Sequence, residues 1–180
     1  MNTLEAISKR YSFRGSYKNT PVPREDLKKI LQAGLAAPSG CNKQTTSLIA
    51  LDEPELVKSV SKIVKANGFR GESEGAPAGI CILTQKIPAY EDKYFYTQDY
   101  SAAIQNILLA ITALGYASCW IEGQVTCSAE TQEQIAKLLN IPADYIVVGY
   151  LPVGIPETEG KRPDYKLFNE RAWFNKFVKN

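Results

Sequence analysis

The sequence predicts a single domain of the α/β or α+β class, and three observations carry this. Segments of helical and strand periodicity alternate along the chain. The strand-like segments lie far apart, with helical stretches between them and no internal repeat. Apolar residues make up 44% and charged residues 22% of 180 positions, a composition with enough apolar material for one core.

Residues 3–9 read as a short first helix, and "RYSFRGSYKNTPVP" (10–23) is basic and turn-rich. Pro23 then opens a helix with Glu25 and Asp26 in its first turn, where carboxylates meet the positive end of the helix dipole. Leu27, Ile30, Leu31, Gly34 and Leu35 fall on one face, and the helix must stop before Pro38. Residues 47–52 read as a buried strand. Pro54 starts a helix with a stripe of Leu56, Val57, Val60, Ile63 and Val64, and Gly68 is its expected stop. A loop, "FRGESEGAPAG", leads into a strand over 80–84. An aromatic loop, "PAYEDKYFYTQDY", precedes the longest helix, 98–114, whose apolar positions are Ile104, Ile107, Leu108, Ile111 and Leu114 and whose cap is Gly115. A strand over 117–121, a helix over 128–140 and a strand over 145–151 complete the set. Residues 1–180 form one domain, with a basic pair and an apolar arm over 161–180.

The sequence contains no histidine. That removes Ser-His and Cys-His nucleophile pairs and the usual zinc sites. Its four cysteines, Cys41, Cys81, Cys119 and Cys127, form no C-x-x-C pair, and free thiols fit a reducing compartment. A net charge of +2 gives no reason to expect nucleic acid. No apolar run approaches the roughly 18 residues a membrane span needs. The N-terminal residues show no signal-peptide core, so a soluble cytoplasmic protein is expected. Neither G-x-G-x-x-G nor G-x-x-x-x-G-K-[ST] occurs. Any redox or group-transfer chemistry would fall to a bound organic cofactor.

Three polar islands stand apart from the core segments. They are "RYSFR", with Arg10, Ser12 and Arg14; "PSGCNKQ", over 38–44; and "GKRP", with Lys161 and Arg162. Each is either a solvated loop or part of an anion site, since arginine forks and hydroxyls suit phosphate oxygens. Composition leaves both readings open.

These islands, with the long helix, resemble the FMN-dependent nitroreductases. "RYSFR" resembles the family's RRSxR opening and "APSGCNKQ" its APSxxNxQP loop. "DYSAAIQNILLAITALGYASCWIEG" is similar to the central helix and the strand that ends in Glu-Gly. "VVGYLP" and "KRPDY" resemble the last strand and the C-terminal basic pair. The motifs run in the family's order over nearly the whole chain. Tyr11, Thr45 and Thr46 depart from the pattern, and the chain is short for it.

The resemblance implies an α+β fold: a mixed, mostly antiparallel sheet flanked by helices in a three-layer α/β/α sandwich. It implies a homodimer with FMN at the interface, each flavin touching both subunits. NADH or NADPH would reduce the flavin, and a small-molecule acceptor, a nitroaromatic or quinone, would take the electrons by a ping-pong route. The alternatives are a flavin-binding protein without turnover, or a same-fold reductase of an enoate, a halophenol or free flavin. The implied cofactor-binding residues are Arg10, Tyr11, Ser12, Arg14, Pro38, Ser39, Gly40, Asn42, Gln44, Ile121, Glu122, Gly123, Lys161 and Arg162. No catalytic side chain and no metal ligand is implied.

Within that set Arg10 is expected on the phosphate, with Lys161 or Arg162 adding charge. Arg14 is expected beside flavin N1 and O2, where reduction places negative charge. A main-chain N–H at the end of the 117–121 strand, at Ile121-Glu122-Gly123, is expected to face N5, with Gly123 allowing close approach. Ser39, Asn42 and Gln44 would bond ring or ribityl oxygens while Gly40 permits a tight contact. Cys41 is expected to be a loop thiol, because nothing nearby would activate it. One of the aromatic rings over 90–100 is expected to stack on substrate.

Overall fold

The structure, a computed structural model, describes residues 1–178; the last two positions of the predicted arm lie outside the described residues. Helix α1 (Thr3–Lys9) starts at Asn2, whose side chain accepts from the Glu5 N–H. Helix α2 (Arg24–Leu35) follows Pro23, with Glu25 and Asp26 in its first turn. Strand β1 is Thr46–Leu51, α3 is Pro54–Ala66 and β2 is Ala78–Thr84. The long helix α4 (Tyr96–Ala113), the single turn α5 (Gly123–Thr126), α6 (Ala129–Leu138) and β3 (Ile146–Val153) complete the order. Gly68 and Gly115, the two expected helix stops, have φ of 88° and 85°.

The sheet runs β1-β2-β3, antiparallel throughout. Every residue of central β2 is buried, because helices cover both sheet faces. Ile80 and Ile82 face the α2–α4 side, where Leu27, Ile30, Ile104, Ile107 and Ile111 pack. Cys81 and Leu83 face the α3–α6 side, with Val57, Val60, Val64 and Ile135. This alternation gives the expected three-layer sandwich. In β3 the register shifts between Ile82 and Leu83, which face Gly149 and Val147. Val148 is left over as a bulge and turns toward the α4 side, while Val147 and Tyr150 face the other.

Three sequence expectations need correction. The strand expected over 47–52 is half-buried except at Leu51, because it forms the sheet edge. Leu35, expected on the apolar face of α2, is 61% exposed. The strand expected over 117–121 exists only as isolated bridges, Ala117 to Gly154 and Ile121 to Tyr150. That register puts Cys119 opposite Pro152, and proline has no N–H to close the middle pair. The interrupted segment still extends the sheet beyond β3, and Ser12 bridges to Ser118 in parallel on its far side. The edge segments therefore make the sheet mixed and mostly antiparallel.

Candidate functional site

The N-terminal segment 10–14 is pinned to that edge, since the Phe13 N–H donates to the Ser118 carbonyl at 2.9 Å. Extended backbone alternates its side chains. Phe13 is buried and Tyr11 half-buried, packed with Tyr17, Ala76 and Ala117. Ser12 and Arg14 are exposed and Arg10 is half-exposed. Arg14 lies close enough to Cys119 for its charge to oppose the effect of burial there, which pushes the Cys119 thiol up to about 12.

The other end of the chain reaches the same place. The Gly160 N–H donates to the Tyr11 hydroxyl at 3.2 Å. A side chain at residue 160 would come within 2.1 Å of the Tyr11 ring, so only glycine lets the backbone lie on it. Tyr11 thus acts as a clip for the C-terminal segment, and its hydroxyl is engaged there. Beyond the clip, Lys161 and Arg162 join Arg10, Ser12 and Arg14 around one cavity of about 500 Å³, closed by Pro163 and Asp164. The ion pairs of the described residues join Lys9 to Glu5, Arg24 to Asp52, Lys29 to Asp26 and Lys65 to Glu74. None engages the four cations of this cavity. Arg162 lies over the Tyr165 ring at 4.9 Å, and a cluster of guanidinium and ammonium groups outside these ion pairs, with a serine hydroxyl, has the donor chemistry of a phosphate site.

The 38–44 loop builds a second, separate cavity of about 180 Å³, lined by Pro38, Ser39, Gln44, Thr46 and Asp99 among others. No residue of the first cavity lines it. The loop is tightly wound: Cys41, Asn42 and Gln44 have φ of 50°, 54° and 49°. Left-handed backbone costs roughly 1–2 kcal/mol at a typical non-glycine residue, so the loop is held from outside. Inside it, the Gln44 N–H donates to Ser39 Oγ at 2.9 Å. The side-chain amides of Asn42 and Gln44 make no hydrogen bond among the described residues and remain available to a ligand, as does the hydroxyl proton of Ser39.

Gly40 is also constrained from within the chain. A Cβ there would lie 2.5 Å from the Phe95 ring, so the close contact is with the aromatic loop. Its N–H is also taken, donated to Asp99 Oδ1 at 2.8 Å. Sequence reasoning missed this carboxylate as a site residue, although an acidic residue at the start of the longest helix was visible. Cys41 is exposed and free.

Ile121, Glu122 and Gly123 also divide. Ile121 is buried and exchanges both main-chain hydrogen bonds with Tyr150, so it belongs to the core. Gly123 does not end a strand; it begins α5, and a helix start leaves its first N–H groups without an intrahelical partner. Space for a Cβ there is open. Glu122 Oε1 accepts from the Tyr100 hydroxyl at 2.8 Å. Burial, and then this carboxylate, push Tyr100 up to about 12, so it stays a donor near neutral pH. The amide of Asn67 donates to the Ile63 carbonyl and Thr131 Oγ1, tying α3 to α6.

No group of residues able to hold a metal ion and no helix long and apolar enough to cross a membrane occurs among the described residues.

The model of the nitroreductase family matches residues 7–74 and 65–155. A relative from Methanothermobacter thermautotrophicus, named as a candidate NADH dehydrogenase/NAD(P)H nitroreductase, is 33% identical over 90% of this chain and 82% of its own length. A protein of the same description from Archaeoglobus fulgidus is 32% identical over 87% of this chain and 86% of its own length. The solved structure of an FMN-dependent nitroreductase from Clostridium difficile R20291 superposes with a TM-score of 0.79. It is 30% identical and covers 97% of this chain and 99% of that one. With the fold and the order of its elements shared, the match over most of its length shows that this chain belongs to the nitroreductase family.

Proposed function

We propose that this protein is an NAD(P)H-dependent FMN oxidoreductase that reduces flat acceptors such as nitroaromatics or quinones. The observation that carries the reading is the cavity where Arg10, Ser12 and Arg14 meet Lys161 and Arg162, cations from both ends of the chain that no ion pair among the described residues engages. Arg10 and the Lys161–Arg162 pair hold the phosphate of FMN. Ser39, Asn42 and Gln44 would offer hydrogen bonds to its ring and ribityl oxygens, and the Gly123 and Gln124 N–H groups at the start of α5 would be available to the ring. Bound FMN supplies two-electron transfer, accepting from the nicotinamide and giving to the acceptor. The residues of this chain bind, orient and electrostatically bias that group. No histidine is present to act as proton donor, and no side chain needs to form a covalent bond.

The basic cavity and the 38–44 loop are separate within one chain. One flavin touches both kinds of surface when a second copy brings its loop to the cavity of the first. The surface favours such pairing. Leu4, Ile7 and Leu35 are 77%, 47% and 61% exposed, and Phe168, Phe174 and Phe177 of the arm are 66%, 82% and 71% exposed. The described arm residues touch one another, as Trp173 and Phe177 do at 4.3 Å between ring centroids, and are not buried on their own core. So much exposed apolar side chain marks an interaction surface. Light scattering is expected to give a dimer; a flavin-bound monomer would remove the two-chain site.

The test of the activity is direct. Purified protein is expected to be yellow, or to become so with FMN, and to oxidise NADH or NADPH when a nitroaromatic or quinone is added. A yellow protein with no turnover on any acceptor would make it a flavin carrier. A colourless one that cannot be reconstituted would overturn the reading.

A further inference from the structure

One carboxylate brackets the left-handed stretch of the 38–44 loop, at Gly40 within it and at Thr45 just past its end. Asp99, in the first turn of α4, is 4% exposed. Its Oδ1 accepts from the Gly40 N–H at 2.8 Å and its Oδ2 from the Thr45 hydroxyl at 2.7 Å. Thr45 is 1% exposed, and its carbonyl accepts from the Gln85 N–H and from Thr84 Oγ1, which fixes that end of the loop to β2. Between the two anchor points lie the three left-handed residues Cys41, Asn42 and Gln44. A buried carboxylate is tolerated only when its oxygens are hydrogen-bonded, and here the two bonds go to Gly40 and Thr45, on either side of the left-handed residues. The bonds that satisfy Asp99 therefore also hold the strained loop closed.

We infer that Asp99 and Thr45 form a clasp that sets the 38–44 loop in its flavin-receiving shape, an inference that rests on the FMN reading above. Neither residue needs to touch the flavin. Thr45 reaches the site through Asp99, and Asp99 acts through Gly40, so Thr45 is a positioning residue and so is Asp99. The same α4 turn carries Tyr100, bonded to Glu122, so adjacent residues of one helix hold both the loop and the segment ahead of α5.

The test uses Thr45→Val, which exchanges the hydroxyl for a methyl group of similar size, Thr45→Ser, which keeps the hydroxyl, and Asp99→Asn. Lys43 is exposed within the loop, and trypsin cuts after it once the loop opens. Cleavage after Lys43 in flavin-free protein is read by mass spectrometry against cleavage after Lys62, which is exposed on α3. FMN affinity is read separately by flavin fluorescence. Thr45→Val and Asp99→Asn are expected to speed cleavage at Lys43 about fivefold over Lys62 and to weaken FMN about fivefold, with Thr45→Ser near wild type. Equal acceleration at both lysines would mean general unfolding and overturn the clasp, as would wild-type cleavage in Thr45→Val. Faster cleavage at Lys43 with unchanged FMN affinity would overturn the link to the flavin. Wild-type protein that binds no FMN would overturn the functional reading, and the cleavage comparison would still decide the clasp.

Discussion

Replacing Arg10 by alanine is expected to weaken FMN binding by about one to two decades. Arg10 shares its cavity with Lys161 and Arg162 and is held there by the extended segment that Phe13 anchors to Ser118. A hydrogen bond to a charged group is worth roughly 1.5–3 kcal/mol, and each 1.4 kcal/mol is a factor of ten in affinity. No ion pair among the described residues engages Arg10, so its removal takes a ligand contact and leaves the fold alone. Titrating flavin-free protein with FMN measures this, and the loss should shrink at high salt as surface charges are screened. Unchanged affinity in Arg10→Ala would exclude Arg10 from the phosphate.

Arg14→Ala is expected to act on electron transfer. Arg14 lies on the same side of the segment as Ser12 and lines the same cavity as Arg10. A cation beside N1 and O2 favours the more negative, reduced cofactor over the neutral oxidised one. Its loss should lower the two-electron potential by roughly 30 mV or somewhat more, equivalent to about 1.4 kcal/mol. Reduction by NAD(P)H should slow while the protein stays yellow. Binding of oxidised FMN should suffer less than in Arg10→Ala, because the phosphate contacts remain. Potentiometric titration of both variants tests this ordering. If Arg14→Ala loses FMN altogether, or keeps its potential, Arg14 belongs to the phosphate or to the fold, and the bias comes from another cation such as Lys43 or Arg70.

The basic cavity was legible in the sequence because its residues carry their chemistry in their side chains. Arg10, Ser12, Arg14, Lys161 and Arg162 could be picked out by type and position before anything showed that they meet. The roles of Gly40 and Tyr11 were not legible, since both depend on a partner far along the chain. Gly40 is small because of Phe95, and Tyr11 is aromatic where it must receive Gly160. The clasp was hidden for the same reason: Asp99 and Thr45 are 54 positions apart. In the fold, helices followed from periodicity and from Pro23, Pro54, Gly68 and Gly115. The segment over 117–121 had the right composition for a strand, but what interrupts it is Pro152, in a different element.

The clip between Tyr11 and Gly160 joins positions 149 residues apart, and that separation sets the timing of assembly. At about 5–20 residues per second, roughly 8–30 s pass on the ribosome between the emergence of Arg10 and that of Lys161. All three strands end by Val153, so the core can close first. A chain that stops at Gly160 has the complete sheet and lacks two of the four cations that line the basic cavity. The basic cavity is therefore completed by the last segment of the chain to be made, after every strand of the sheet.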